Sequence, residues 1–308
     1  MTDRVLLIIN PAAGHGRGRK AAAAVTTAAR RRWADLEVVT TRGPGAATGL
    51  ARDAAVAGFS IVLVLGGDGT LHEVANGLLG SDAHDLPAIG AIPVGTGNDF
   101  ARLSGTGGLA PPRAVDALAH ARRLVIDVGR AWNEYFINSL GLGLAGEVAY
   151  RVNRMKRLGG VSAYLLGVLQ TMGSFRPLGI ELATPDGTTV VARCLALEVG
   201  NGATSGGGFR LTPDARPDDG LLDYCLIRPL GALGILAKLP RAVRGTHVTL
   251  PEVTMGRAAQ LSITGDRPLR AHFDGEVRSP GPTTITIDAV PAILPVLVTA
   301  RGFTARTP

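Results

Sequence analysis

Aromatic side chains are scarce in this chain: two Trp, four Tyr and seven Phe among 308 residues. A nucleic-acid surface built on stacked bases is poorly supplied, and no nucleic-acid partner is expected. Cysteine is scarcer. Cys194 and Cys225 cannot make a disulfide framework or a zinc site, and both are expected as small buried apolar residues in a reducing interior. No apolar run reaches the length needed to cross a bilayer. The first strand-like stretch, residues 5–9, is too short for a signal-peptide core, and no small-residue cleavage site follows it. A cytoplasmic location is expected, with any work on lipids done peripherally at the inner face of the membrane.

What the chain has is length for two domains, 46 % apolar residues to fill their cores, 42 glycines and a net charge of +7. A basic balance of this kind suits a nucleotide or an anionic membrane surface. Up to about residue 128 strand and helix signals alternate: strands at 5–9, 36–40, 61–65 and 88–93, helices at 19–33, 46–57 and from the Asp68 turn to about Leu79. That order predicts a nucleotide-binding α/β domain, residues 1–128, with a parallel sheet and ligands at the strands' carboxyl ends. Residues 129–292 read as an antiparallel β domain, with strands at 135–139, 180–184, 190–199, 221–227, 260–264 and 284–288. A helical insertion at about 161–174 interrupts it. The last apolar segment, 293–299, fits as a strand on either domain, so residues 293–308 are left free to return to the first.

The most informative segment is Gly66-Gly-Asp-Gly-Thr-Leu-His-Glu73. It follows a buried-looking strand and opens a helix. Glycines allow close approach, and the first helical amides point outward unpaired, which is phosphate-binding geometry. Asp68 in its middle would repel a polyphosphate unless a cation lay between them, and Mg²⁺ is the simplest cation to fit. An ordinary turn between strand and helix uses the same residues. Asn10-Pro-Ala-Ala-Gly-His-Gly and Pro93-Val-Gly-Thr-Gly-Asn-Asp-Phe-Ala-Arg102 are two further glycine-rich turns after strands. The second adds Thr96, Asn98 and Asp99, the last of which a plain N-cap role would equally explain. Asp127 supplies another acid where the domains should meet. Asp218-Asp-Gly-Leu-Leu-Asp223 has the oxygen ligands of a hard cation and equally the chemistry of a hairpin turn. In Phe273-Asp-Gly-Glu276, a glutamate held near a nucleotide suits proton abstraction from a hydroxyl, and Asp-Gly alone is hairpin chemistry. Arg151, Arg154, Lys156 and Arg157, followed by an apolar helix, fit an anionic lipid surface as well as a solvated loop and core helix.

Taken in order, these motifs resemble the diacylglycerol kinase catalytic-domain family of lipid kinases, which includes YegS-type lipid kinases and the sphingosine and ceramide kinases. The resemblance covers nearly the whole chain. It implies an N-terminal α/β domain with a parallel sheet, like that of phosphofructokinase and NAD kinase, and a C-terminal antiparallel β-sandwich for the lipid. It implies ATP and Mg²⁺ as cofactors, and phosphorylation of a membrane lipid hydroxyl, most simply diacylglycerol to phosphatidic acid in phospholipid biosynthesis. By motif position, nucleotide contacts fall on Asn10, Pro11, Gly14, Thr41, Gly67, Asp68, Gly69, Thr70, Leu71, His72, Glu73 and Thr96, beside Asn98 and Asp99. The general base falls on Glu276. A structural Mg²⁺ site falls on Asp219 and the carbonyls of Arg216 and Leu221, while Asp68, Asp99 and Asp127 resemble the family's acids near the catalytic magnesium. An NAD kinase-like enzyme and a non-catalytic lipid- or nucleotide-sensing regulator on the same scaffold are the alternative readings, and a homodimer is left open.

Overall fold

A computed structural model of the chain describes residues 3–152, 171, 175–278 and 281–304. The chain divides into two compact units. Residues 1–126 and 292–308 form one, and residues 127–291 the other.

The first unit is built on strands β1 (Arg4–Ile9), β2 (Asp35–Thr40), β3 (Ile61–Gly66) and β4 (Ala88–Pro93). They run parallel in the order β2-β1-β3-β4. β3 and β4 are buried along their whole length, which explains their unbroken apolar sequences. Helices α1 (Ala13–Arg32), α2 (Ala46–Val56), α3 (Asp68–Leu79), α4 (Asp99–Ser104) and α5 (Pro111–Leu118) supply the connections. Val25 and Ala29 of α1 and Val115 and Leu118 of α5 share a core with Leu7, Leu63 and Ile92. Late in the chain, Val296 pairs in parallel with Ile89. The segment 293–299 thus adds a strand to this sheet.

The second unit begins with β5 (Arg122–Ala131, which straddles the boundary), β6 (Glu134–Phe136) and β7 (Ser139–Gly143), followed by α6 (Leu144–Val152). Next come β8 (Leu178–Ala183), β9 (Thr189–Cys194), β10 (Ala196–Gly200) and β11 (Leu222–Ile227). After α7 (Ala232–Arg244) come β12 (Val253–Ala258), β13 (Gln260–Gly265), β14 (Ala271–Phe273), β15 (Glu276–Val277) and β16 (Thr284–Val298). Strands β12-β11-β10-β7-β14-β15 form one antiparallel sheet. β9, β8, β13 and the first part of β16 pair antiparallel as well. Their inward residues, Leu140, Leu197 and Phe273 on one side and Leu182, Ile263 and Ile287 on the other, belong to one core.

The expected single strand 190–199 is two strands. The chain turns a corner at Leu195, whose amide bonds Ile227 O while its carbonyl accepts Leu144 N–H, both at 2.8 Å. Each sheet wants the same alternation, so the period does not mark where one ends. The expected strand 135–139 likewise splits, into β6 and the start of β7, because Asp274 pins the backbone of residues 137–139. Helix α7 was not expected from the sequence; Gly231, Gly234 and Pro240 disguise it. The expected helix 161–174 lies, apart from Thr171, outside the described residues, as do Arg154, Lys156, Arg157 and the side chain of Arg151. Among the described residues no helix is long and apolar enough to cross a membrane.

Candidate active site

The loops at the carboxyl ends of the first unit's strands meet in a cradle of close backbone contacts. Asn10 braces it: Nδ2 donates to Thr70 Oγ1 at 2.9 Å, and Oδ1 accepts the Ala12 N–H at 3.0 Å. Pro11 leads into α1, whose first turn winds left-handed. Gly14 has φ +58°, and a Cβ there would overlap the Val94 carbonyl. Arg17 ties the same turn to the facing loop, donating to Gly95 O at 2.8 Å. Gly67 and Gly95 meet backbone to backbone, and a Cβ on Gly95 would stand 2.5 Å from Gly67 Cα. Leu71 N–H is bonded to Gly67 O at 3.1 Å, so the amides of Asp68, Gly69 and Thr70 precede the intrahelical ladder of α3.

Two acids converge on this cradle. Asp68 Oδ1 accepts the Phe100 N–H at 3.2 Å, and Asp99 Oδ1 pairs with Arg102 Nη1 at 2.8 Å. Both carboxylates lie against Gly97. A Cβ there would stand 2.6 Å from Asp68 Oδ2 and 3.5 Å from Asp99 Oδ2. Carboxylates crowded beside a polyphosphate suit a divalent cation between them, and the bare glycine backbone leaves room for one. Asn98, left-handed at φ 56°, donates to Gly95 O at 2.8 Å, while its Oδ1 is buried with no partner. Thr96 is partly exposed on the same loop.

The remaining residues of the motif face elsewhere. Leu71 and His72 are 3 % exposed and turn into the unit, where Asn76 Nδ2 donates to His72 O at 3.0 Å. The Glu73 carboxylate accepts the Gly45 and Ala47 amides at 2.8 and 3.0 Å and so caps α2. It holds the loop after Thr41, which is itself buried and bonded from its amide to Ile9 O. For Glu73 and His72 the structure gives supporting contacts, and the cradle itself is backbone.

In the second unit, Asp127 is 3 % exposed. Its Oδ2 accepts the Gly220 N–H at 2.7 Å and its own amide bonds Pro217 O, so it holds the 216–221 loop from two sides. Within that loop Asp219 Oδ1 accepts the Leu221 N–H at 3.2 Å, and Asp218 pairs with Arg216. Asp223, 5 % exposed, has a buried Oδ2 without a partner. Burial pushes its pKa up to about 6, with Asp219 and Asp214 adding to the rise against Arg257. An excess of acid of this kind fits a hard cation held by Asp219 and the carbonyls of Arg216 and Leu221. Among the described residues, no three His, Cys, Asp or Glu side chains converge as a metal cage, so such an ion would take much of its shell from backbone and water.

Glu276 opens β15 directly after a two-residue turn, Asp274–Gly275, with φ +51° and +89°. Three devices fix this hairpin. Phe273 pairs with Glu276 across it. The Asp274 carboxylate accepts the amides of Ile137, Asn138 and Ser139 at 2.8–3.1 Å. The Gly275 N–H donates to His272 Nδ1 at 3.3 Å, which leaves the ring proton on Nε2, facing Glu198 Oε2 at 3.6 Å. Glu198 and His272 stand on β10 and β14, two strands apart, and both register with Gly141 of the intervening β7. A Cβ on Gly141 would overlap both side chains, so the glycine is what lets them meet. Burial pushes the Glu198 carboxyl up, yet the facing imidazole and the Ser205 and Ser139 hydroxyls bring it net below the ordinary carboxylate value. Sequence reasoning missed this pair. Its one signal was an acid, Glu198, inside the apolar run Leu195-Ala-Leu-Glu-Val199.

An apolar pocket lies on the same outer face of the sheet, beneath α7. Leu144, Leu195, Phe209, Ile227, Ile235 and Leu239 line it, and its cavity volume is about 90 Å³.

Residues 4–131 match the diacylglycerol kinase catalytic domain, and residues 138–298 match the YegS C-terminal NAD kinase beta sandwich-like domain. The diacylglycerol kinase of Bacillus subtilis is 30 % identical over 274 residues, 89 % of each chain. A Bacillus anthracis protein assigned as a diacylglycerol kinase superposes with a TM-score of 0.81 at 25 % identity, over 97 % of this chain and 98 % of that one. An NAD kinase from Archaeoglobus fulgidus in complex with ATP shares the fold, with a TM-score of 0.53 at 16 % identity over 96 % and 94 % of the two chains.

Proposed function

This chain belongs to the diacylglycerol kinase family of lipid kinases, and from that premise we propose that it transfers the γ-phosphoryl group of ATP to the hydroxyl of diacylglycerol, giving phosphatidic acid. The observation that carries this reading is the pair Asp68 and Asp99, two carboxylates set against Gly97 in a cradle made of glycine backbone. A carboxylate there serves phosphate chemistry only through a cation, which is Mg²⁺ in this reading. The ion neutralises charge on the phosphate oxygens when bound.

The chain's own residues do the rest. Backbone amides at the start of α3 and the Gly14, Gly67 and Gly95 turns receive the phosphates. Asn10 and Arg17 keep the loops in register. The Glu276 carboxylate takes the proton of the lipid hydroxyl as its oxygen bonds the γ-phosphorus and the bond to the β-phosphate oxygen breaks. The pocket beneath α7 receives acyl chain. Asp219, with the Arg216 and Leu221 carbonyls, holds a second, structural Mg²⁺, and Asp127 positions that loop. The protein acts peripherally at the cytoplasmic membrane face, where Arg151, Arg154, Lys156 and Arg157 add attraction to anionic lipid.

The test is incubation with labelled ATP, Mg²⁺ and mixed micelles of total bacterial lipid, with NAD in a parallel arm, and identification of the phosphorylated species by mass spectrometry. Phosphatidic acid is expected. Label in NAD phosphate, or in no lipid at all, overturns the assignment.

A further inference from the structure

Helix α7 is apolar on two faces. Ile235, Leu239 and Ala242 look inward onto the pocket, and Lys238 at its edge pairs with Glu252. On the outer side Leu233 is 82 % exposed, and Leu236, Ala237, Pro240 and Val243 are exposed beside it. At 100° per residue, positions 233, 236, 237, 240 and 243 fall on one stripe. A surface helix ordinarily turns a charged face to water; here leucine, proline and valine hold the outer stripe until Arg244, which falls on the same side, ends it. Such a stripe marks a surface that meets something apolar.

The charges around it say what that is. The helix holds no acidic residue. Arg241 and Arg244 are exposed at its last turn. Arg228 is exposed just before it, and Arg210, also exposed, bonds its backbone to Ala242 O. The one acid lining the pocket beside the helix other than buried Glu198 is Glu252, taken up by Lys238. Exposed leucines on a helix that ends in two exposed arginines complement a layer with apolar tails under anionic heads.

We propose that α7 docks flat on an anionic lipid surface, its outer stripe among the upper acyl carbons and its arginines at the head groups, while its inner face roofs the acyl pocket. The helix then holds the pocket at the surface from which its lipid comes. This rests on the lipid-kinase reading above, because the pocket's occupant is taken from it. It differs from the attraction assigned to the basic residues 151–157, since the α7 stripe supplies insertion as well as charge.

The experiment measures co-sedimentation of the full chain with vesicles of phosphatidylcholine containing a minority of phosphatidylglycerol, a surface at which each arginine is worth about 1 kcal/mol, or about fivefold. Leu233→Gln with Leu236→Gln should lower binding at least tenfold at an unchanged melting temperature. Arg241→Gln with Arg244→Gln should lower it about fivefold per arginine at low salt and weaken its salt dependence. Activity is read in parallel on vesicle-embedded diacylglycerol and on a dispersed short-chain diacylglycerol. The leucine variant should lose the first and keep the second. Parental vesicle binding by the leucine variant overturns the proposal, as does a dimer that this variant dissociates, which would assign the stripe to a second copy of the chain. Equal loss on both substrates overturns it too, since the helix would then act on the pocket alone. A parent that binds vesicles through α7 and phosphorylates neither substrate refutes the lipid-kinase reading and leaves the docking surface standing.

Discussion

The two units hold their candidate chemistry by opposite means. In the first, the cradle is made where side chains are missing: Gly14, Gly67 and Gly95 bring backbone against backbone, and the Asp68 carboxylate lies where a Cβ on Gly97 would crowd it. In the second, Glu276 is held by side chains: Asp274 on three amides, His272 on the Gly275 amide and Glu198 behind His272. A site built from glycine fails when bulk is added. A site built from paired polar groups fails when one partner is removed, because the other stays buried and unsatisfied.

That contrast can be broken at several points. Asp68→Ala should have the largest effect, abolishing phosphoryl transfer with the fold intact. A magnesium-dependent rate within a few-fold of the parent removes Asp68 from the mechanism. Glu276→Gln comes next. The amide keeps the shape and cannot accept the proton, so kcat should fall by about 10²–10⁴ at unchanged ATP affinity; a near-parental kcat contradicts the base assignment.

Gly95→Ala tests the first unit's side of the comparison. The added methyl must push Gly67 away, so ATP affinity should fall by tenfold or more, read by titration calorimetry, whereas a cradle that is only a turn would bind as before. His272→Leu tests the other side. It should lower kcat by roughly tenfold with the Michaelis constant for ATP unchanged, and His272→Asn, which keeps an acceptor near Nδ1, should recover most of it. In a Glu276→Gln background His272→Leu should cost almost nothing more, because His272 acts through the turn that presents Glu276, and sites coupled through a shared backbone segment are not additive. Additive losses would make His272 a merely structural residue.

The smallest effect is on acid stability. The Glu198 carboxyl lies below its ordinary value of 4.5 in the folded chain. Its contribution to stability is therefore complete above about pH 4.5 and is lost as pH falls through the lower folded value. Glu198→Gln should flatten the fall of the melting temperature below that pH, measured by circular dichroism. Parallel curves for variant and parent would show that the pair carries no such linkage.

Much of the first unit was legible because local signals agree with the tertiary answer. The apolar run 88–93 marks strand β4 to the residue because it is buried along its whole length, and the Asp68 turn stands out because glycines there follow a buried strand and open a helix. In the second unit, α7 was hidden by its own Gly and Pro, and the corner at Leu195 by an alternation both sheets demand. Leu71, His72 and Glu73 lie in one motif, yet only the folded chain shows that Glu73 caps a different helix.

By itself the sequence determined the periodicities, the glycine turns and the order of the acids, since these depend on residues a few positions apart. The tertiary structure alone decided which groups meet. Glu198 and His272 are 74 positions apart in the chain and face each other because the strand between them carries a glycine at the shared register. Register is set by the packing of whole sheets, and no local pattern encodes it.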